Sequence, residues 1–193
     1  AMQENKAAFP NLMRWADAEG IPSCVDLFIF GTSDYTAQNF SHRLSMDDLE
    51  VFFTHTLEND GQLAYIWGSK APVNPATTQF YGGACSSLCI SGDGVIYPMI
   101  GWYTPIGSIR RDSIRDVFLH HSLLQKIRSI MINDIPACNQ CDLLSYCSFC
   151  PIAHLTAHNG ELYKVDANFC TYIRLKKNCI ERRDKILGMA QDS

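Results

Sequence analysis

The sequence predicts an α+β fold, in which a β-hairpin is followed by helices and by a loop-rich, cysteine-rich region. The hairpin is indicated by Gly92-Asp93-Gly94 between two apolar runs, 87–91 and 95–99, since glycine accepts the positive φ of a tight turn. Helices are indicated by capping residues that precede apolar residues at helical spacing. The third observation is nine cysteines in 193 residues, five of them between residues 138 and 170.

Composition and charge exclude several classes of protein. Apolar residues make up 47% of the chain and charged residues 19%, which is enough apolar material for a packed core and argues against disorder. The formal net charge of −4 argues against a nucleic-acid partner, which a basic surface would attract. No apolar run approaches the ~20 residues of a membrane span, and no secretory signal is recognisable. We therefore expect a cytoplasmic protein without a membrane or nucleic-acid partner.

The N-terminal part resembles one unit of an α/β fold. Residues 10–18 are predicted to form a helix, and the apolar run 24–30 is predicted to form a buried strand. A proline-containing segment without periodicity, 71–79, follows and is interpreted as a linker. We therefore predict two domains, residues 1–70 and residues 71–193, the first being a remnant of a larger α/β unit.

Helix signals continue after the hairpin. Asp112 or Ser113 is predicted to cap a short helix, and Ser122 is predicted to cap the next. The segment 171–189 is predicted to be helical, and its six Lys and Arg residues are interpreted as a solvated face. His154 and His158, spaced four apart, are interpreted as surface histidines beside the cysteine-rich loop.

The strongest chemical signal is the run Cys138-x2-Cys141-x5-Cys147-x2-Cys150, followed by Cys170. A CxxC turn lets two thiolates point at one metal while backbone N–H groups face the sulfurs, and both effects favour thiolate over thiol. Five candidates exceed the ligands of one tetrahedral site. One of the five is therefore free or belongs to a second centre.

Three interpretations of this run stay open at the level of spacing. Disulfides are disfavoured by the expected reducing compartment. Paired zinc knuckles are usually separated by ~12–20 residues, whereas only five residues separate the two CxxC pairs here. Cysteine ligation of a 4Fe–4S cluster by a short CxxC run and a remote cysteine fits best. Pro151 follows Cys150, and in two-cluster bacterial ferredoxins the cysteine of such a Cys-Pro pair ligates the second cluster. Cys150 is therefore the cysteine of the five that is predicted to lie outside the first cluster.

With these residues the chain resembles the SPASM domain of radical S-adenosylmethionine enzymes over about residues 80–183. The resemblance rests on the five-cysteine spacing, on the hairpin segment 94–99 and on the segment 107–118 that follows it. Residues 7–58 resemble the end of the partial barrel of such an enzyme. The fold implied is a SPASM-like hairpin with helices and a cluster-binding loop region.

The resemblance implies two sets of ligands. The first auxiliary 4Fe–4S cluster would be held by Cys138, Cys141, Cys147 and Cys170. Cys150 would serve a second centre, for which Cys85 is the nearest further candidate. Tyr81 and Met99 stand where the family pattern has cysteines, and a thioether is a poor substitute for thiolate on iron. Cys89 is interpreted as a core residue of a strand.

The CxxxCxxC motif that generates the radical in this family does not occur in the sequence. The chain is therefore not expected to be catalytic alone. The resemblance implies an auxiliary-cluster module for electron transfer or substrate positioning. Its partners would be a radical S-adenosylmethionine catalytic domain, which would bind S-adenosylmethionine, and a peptide or protein substrate. The alternative from another class is a zinc-stabilised, non-catalytic protein-interaction module.

Overall fold

The structure is a computed structural model that describes residues 1–21, 25–59, 72–147 and 149–191. The helices of these ranges are α1 (Phe9–Ala18), α2 (Met46–Asn59), α3 (Gly82–Ser86), α4 (Ile114–His120), α5 (Ser122–Ser129), α6 (Pro151–Ala157) and α7 (Ala167–Gln191). Short 3-10 helices lie at Lys6–Ala8, Gln38–His42, Ile132–Asp134 and Leu144–Tyr146. The strands are β1 (Cys89–Ile90), β2 (Val95–Tyr97) and β3 (Gly107–Ser108). This mixture of helices and a small sheet agrees with the predicted α+β class.

The predicted hairpin is confirmed as part of a three-stranded antiparallel sheet in the order β1-β2-β3. Ile90 lies opposite Ile96 in the ladder between β1 and β2. Gly94 closes the turn at a φ of 86°, and its N–H donates to the carbonyl of Ser91 at 2.9 Å. The strands are shorter than the apolar runs. β2 ends before Pro98, which has no N–H to donate to a neighbouring strand.

The capping residues decide where the middle helices begin. The Ser113 hydroxyl accepts a hydrogen bond from the Asp116 N–H at 3.3 Å, which confirms the predicted start of α4. The next cap differs from the prediction, because His121 Nδ1 accepts from the Leu123 N–H at 3.3 Å and Ser122 is already the first helical residue. The predicted C-terminal helix is confirmed as α7 and begins at Ala167, four residues earlier than expected.

The predicted strand over 24–30 is wrong for its described part, 25–30, which has no regular secondary structure. Leu27 and Phe28 are consecutive and both buried, as in a buried strand, but the segment pairs with none of the described strands. Phe28 packs edge-on against Phe169 of α7 with ring centroids 5.1 Å apart. The apolar run is therefore accounted for by packing against a helix, without a β-ladder. Cys24 lies outside the described residues.

Two apolar clusters form the core. The first surrounds the sheet and α5, and its fully buried members include Tyr81, Ile96 and Leu124. The second packs the N-terminal segment and α2 against α7, where the rings of Phe53 and Tyr172 lie 5.3 Å apart. The second cluster thus contains residues from both sides of the predicted domain boundary. The boundary itself, between residues 70 and 71, lies outside the described residues and stays a prediction.

Within the described ranges no helix combines the length and the hydrophobicity that crossing a bilayer requires. The longest, α7, carries charged side chains along its length, among them Arg174, Lys177 and Arg182.

Candidate metal centre

The cysteine-rich loop is built from successive tight turns. The Cys138 N–H donates to the Ile135 carbonyl at 2.9 Å, and the Cys141 N–H donates to the Cys138 carbonyl at 3.2 Å. This second bond closes the CxxC turn and brings both thiols to one side of the loop. The 3-10 helix Leu144–Tyr146 then leads to Cys147, whose N–H donates to the Leu144 carbonyl at 3.2 Å.

The fourth thiol comes from the first turn of α7. Asp166 precedes this helix, and its side-chain Oδ1 accepts from the Asn168 N–H at 2.9 Å, which caps the helix. The Asp166 carbonyl accepts from the Cys170 N–H at 3.1 Å. Cys170 is therefore held at the helix start by the same residue that caps it.

Four of the six candidate ligands line one small cavity, with a volume of about 30 Å³. These four, the cavity cysteines, are Cys138, Cys141, Cys147 and Cys170. The remaining walls are largely apolar and include Leu143, Phe149, Phe169 and Ile173. Cys138 is buried and the other three are half-buried. The cavity is thus lined by thiols from two separate segments of the chain.

Within the described ranges, however, no group of three or more His, Cys, Asp or Glu side chains is arranged so that it could hold a metal ion. A thiolate–zinc bond is about 2.3 Å long, which requires four sulfurs to converge closely. The cavity cysteines surround a common space without forming such a ligand set.

Burial controls the protonation of the cavity cysteines. Desolvation, with a smaller contribution from the neighbouring cavity cysteines, raises the pKa of the Cys138 thiol to about 12 and that of the Cys147 thiol to about 11. Desolvation also raises the pKa of Cys170. These three thiols therefore stay protonated at neutral pH in the metal-free chain. A metal would have to displace their protons on binding.

The turn after Cys147 is conformationally unusual. Phe149 has a φ of 37°, which a non-glycine residue seldom adopts and which costs of order 1–3 kcal/mol. In this conformation the Phe149 N–H donates to the Cys147 sulfur and opposes the rise in its pKa. The Phe149 ring packs against Phe80 with centroids 6.4 Å apart. A strained backbone that directs an N–H at sulfur is a feature expected of a thiolate site.

Neither Cys150 nor Cys85 lines this cavity. The Cys150 thiol lies at the start of α6, where the N–H groups of Ile152 and Ala153 face it, and does not line the cavity. The Cys85 thiol lies on α3 and donates to the Tyr81 carbonyl at 3.6 Å, with Arg128 as its charged neighbour. Because the two thiols have different surroundings, nothing in their placement indicates a second centre.

Tyr81 is part of the aromatic core. It is completely buried, its hydroxyl donates to the Leu162 carbonyl at 2.5 Å, and its ring lies 5.4 Å from that of Trp102. The Met99 methyl group lies against Gly83. The two residues that replace cysteines of the family pattern are thus engaged in packing, which accounts for both without a metal.

The interpretation of His154 as a surface histidine is wrong. His154 is 2% exposed, lines the same cavity as the four cysteines and stacks on Phe80. Its Nδ1 accepts from the Asp166 N–H at 3.0 Å, which assigns the proton of the neutral ring to Nε2. Desolvation lowers the pKa of His154 to about 4. The sequence around His154 gives no sign of this burial. His158, four residues later, lies just beyond the end of α6 at Ala157.

The interpretation of the basic residues of α7 as a solvated face is wrong for Lys176. Lys176 is 8% exposed and lies against the cysteine-rich loop, whereas the adjacent Lys177 pairs with Asp142 on the surface. No signal in the sequence separates these two lysines.

Comparison of the chain with protein-family models, with curated proteins and with solved structures finds no match. The resemblance to the SPASM domain therefore rests on cysteine spacing and on the residues around it. The family and its function remain proposals, to be judged on the site itself.

Proposed function

We propose that the chain binds a 4Fe–4S cluster through the cavity cysteines and is an auxiliary-cluster module of a radical S-adenosylmethionine peptide- or protein-modifying enzyme. The observation that carries the proposal is that four cysteines from two segments line one cavity, whereas Cys150 and Cys85 do not. Core packing alone gives no reason for four thiols to meet. A cluster with four thiolate ligands supplies one-electron transfer when bound.

The residues around the cavity suit such a group by donor type. Thiolates are the soft ligands that iron–sulfur clusters require, and the Phe149 N–H offers a hydrogen bond to the Cys147 sulfur. Phe169 and Ile173 form apolar walls that limit the access of water. Loading requires the sulfurs to turn toward the cavity, since no ligand set is formed among the described residues.

In this proposal the chain serves electron transfer or substrate positioning beside a radical S-adenosylmethionine catalytic domain, in the cytoplasm. A peptide or protein is the substrate of the combined enzyme. The proposal assigns no catalytic residue to this chain.

A second candidate is a zinc-stabilised protein-interaction module. The observation that favours it is the size of the cavity, about 30 Å³, which is close to the volume share of one water molecule and suits a single ion. Four thiolates are also the ligand set of many structural zinc sites.

Anaerobic reconstitution with iron and sulfide tests the first candidate against the second. We expect about four iron atoms and four acid-labile sulfides per chain, with a charge-transfer absorption typical of the cluster. One tightly bound zinc per chain with no labile sulfide would refute the cluster and support the zinc module. Absence of both metals would refute both candidates.

Serine variants identify the ligands. Cys138→Ser and Cys170→Ser should lose the bound metal, whereas Cys150→Ser and Cys85→Ser should keep it. The matched control is Cys179→Ser, because Cys179 is buried in the second core cluster on the same helix as Cys170. Loss of metal in Cys150→Ser with full loading in Cys170→Ser would contradict the assignment of the cavity cysteines.

A further inference from the structure

Lys176 is an unusual residue for a protein interior. It is 8% exposed, and its Nζ lies 3.4 Å from the carbonyl oxygen of Tyr146, the residue that directly precedes Cys147. Lysine is almost never fully buried unless its charge is paired, because removing an ammonium from water is costly. An anion close to the Lys176 ammonium would offset this cost.

The described residues provide no carboxylate for this ammonium. The neighbouring cations of α7 do have carboxylate partners, since Lys177 and Arg174 pair with Asp142 at 3.2 and 3.4 Å. In the same ranges, Lys176 forms no ion pair with Asp or Glu, and its one hydrogen-bond acceptor is the neutral Tyr146 carbonyl. Desolvation lowers the pKa of Lys176, and a negative charge on Cys147, the residue after Tyr146, acts in the opposite direction.

A loaded metal centre would supply the missing negative charge. Four thiolates around one divalent ion leave a net negative charge, and thiolate-ligated iron–sulfur clusters are anionic as well. In a buried site this excess charge is weakly screened, so that a fixed cation beside it is strongly favourable. The same cation is unfavourable when the thiols are protonated and the site is neutral.

We propose that Lys176 is the counter-charge of the metal centre: a positioning residue that binds no metal itself and stabilises the anionic, loaded state of the cavity cysteines. This inference rests on the proposed function, and it holds for a cluster and for a single ion alike. Lys176 then strengthens metal binding and destabilises the metal-free chain, two effects of opposite sign.

Titration of the metal-free, full chain with Co²⁺ under anaerobic conditions tests the first effect, because thiolate ligation to Co²⁺ produces a charge-transfer absorption. Lys176→Met removes the charge and keeps an unbranched apolar stem. We expect its affinity for Co²⁺ to fall by about tenfold to a hundredfold, the range found for residues that support metal ligands. Lys176→Arg keeps the charge and should restore most of the affinity.

Lys177→Met is the matched control, because it removes the same charge one residue along α7, where the partner is the exposed Asp142. Its Co²⁺ affinity should stay within about twofold of the parent, as expected for a screened surface charge. Equal losses in Lys176→Met and Lys177→Met would overturn the proposal, since they would reflect only the overall charge of the chain.

Urea unfolding of the metal-free chains tests the second effect. Lys176→Met should unfold at the same urea concentration as the parent or at a higher one, because it removes a buried cation that lacks an anion. A lower midpoint would show a structural role and overturn the proposal. If the parent chain binds neither Co²⁺ through thiolates nor iron and sulfide on reconstitution, the proposed function fails; if the parent and Lys176→Met bind equally, only this inference fails.

Discussion

Asp166 joins the N-terminal segment to the candidate centre, and its removal should destabilise both. Its carboxylate lies 3.1 Å from Nη2 of Arg43, and the two side chains are only 5% and 12% exposed. The same carboxylate caps α7, and its backbone N–H holds His154. The Arg43 guanidinium also stacks on the rings of Phe28 and Phe40, at 4.3 and 3.4 Å from their centroids.

The expected magnitude follows from these contacts. Removal of one partner of a buried ion pair costs about 3–5 kcal/mol, because the other charge is left unpaired. Loss of a helix cap adds about 1 kcal/mol. Asp166→Ala should therefore lower the free energy of unfolding by about 4–6 kcal/mol, a large share of the ~5–15 kcal/mol of an ordinary domain. Asp166→Asn is the milder test, since its amide oxygen can still accept the Asn168 N–H.

A double-mutant cycle of Asp166→Asn and Arg43→Met, measured by urea unfolding with circular dichroism, isolates the ion pair. We expect a coupling free energy of at least about 1 kcal/mol. A coupling below about 0.5 kcal/mol, the value typical of exposed pairs, would refute the reasoning that burial makes this pair strong. The exposed pair of Arg182 and Glu50 is the control, and its coupling should be the smaller of the two.

Two further predictions concern the metal-free chain. Its free energy of unfolding should fall by up to about 3 kcal/mol as the pH drops from about 6.5 to about 4, because the pKa of buried His154 is lowered and the unfolded chain binds the proton first. Urea midpoints at several pH values measure this, and a pH dependence unchanged in His154→Asn would contradict the assignment. Gly31→Ala should cost about 1–3 kcal/mol by the same assay, since its Cβ would lie 2.6 Å from Thr156 Cβ and 2.7 Å from the Thr36 carbonyl oxygen. Gly82→Ala, which meets no atom within 4 Å, should be neutral or stabilising by up to about 1 kcal/mol, and equal losses in both variants would refute the steric explanation.

Several local features could be predicted because their causes are local. Gly94 forms the hairpin turn because glycine accepts a positive φ, and Ser113 caps α4 through a bond to an N–H three residues away. The CxxC turn of Cys138 and Cys141 is closed by a backbone bond within the motif itself. In each case the interacting atoms belong to residues only a few positions apart, so that the spacing of those residues predicts the contact.

Other features could not be predicted, because their partners are distant in sequence. The run 25–30 has the composition of a strand, yet its apolar side chains pack on α7 more than a hundred residues later. His154 has the spacing of a surface residue and is buried by Phe80 and Phe169, which flank it from remote segments. Hydrophobic patterns predict whether a side chain is buried, but they do not predict which element packs against it.

The sequence alone determined the α+β class, the hairpin and the choice of four thiols as one candidate set, because turn chemistry and cysteine spacing are properties of short segments. Only the tertiary structure decided that Cys170 joins the other three around a cavity and that Cys150 and Cys85 do not line it. It also decided that Lys176 is buried beside the cysteine-rich loop while Lys177 pairs with the exposed Asp142. The reason is physical: burial and electrostatic environment arise only when α7 packs against the loop, and they determine which thiols and which cation can serve a metal.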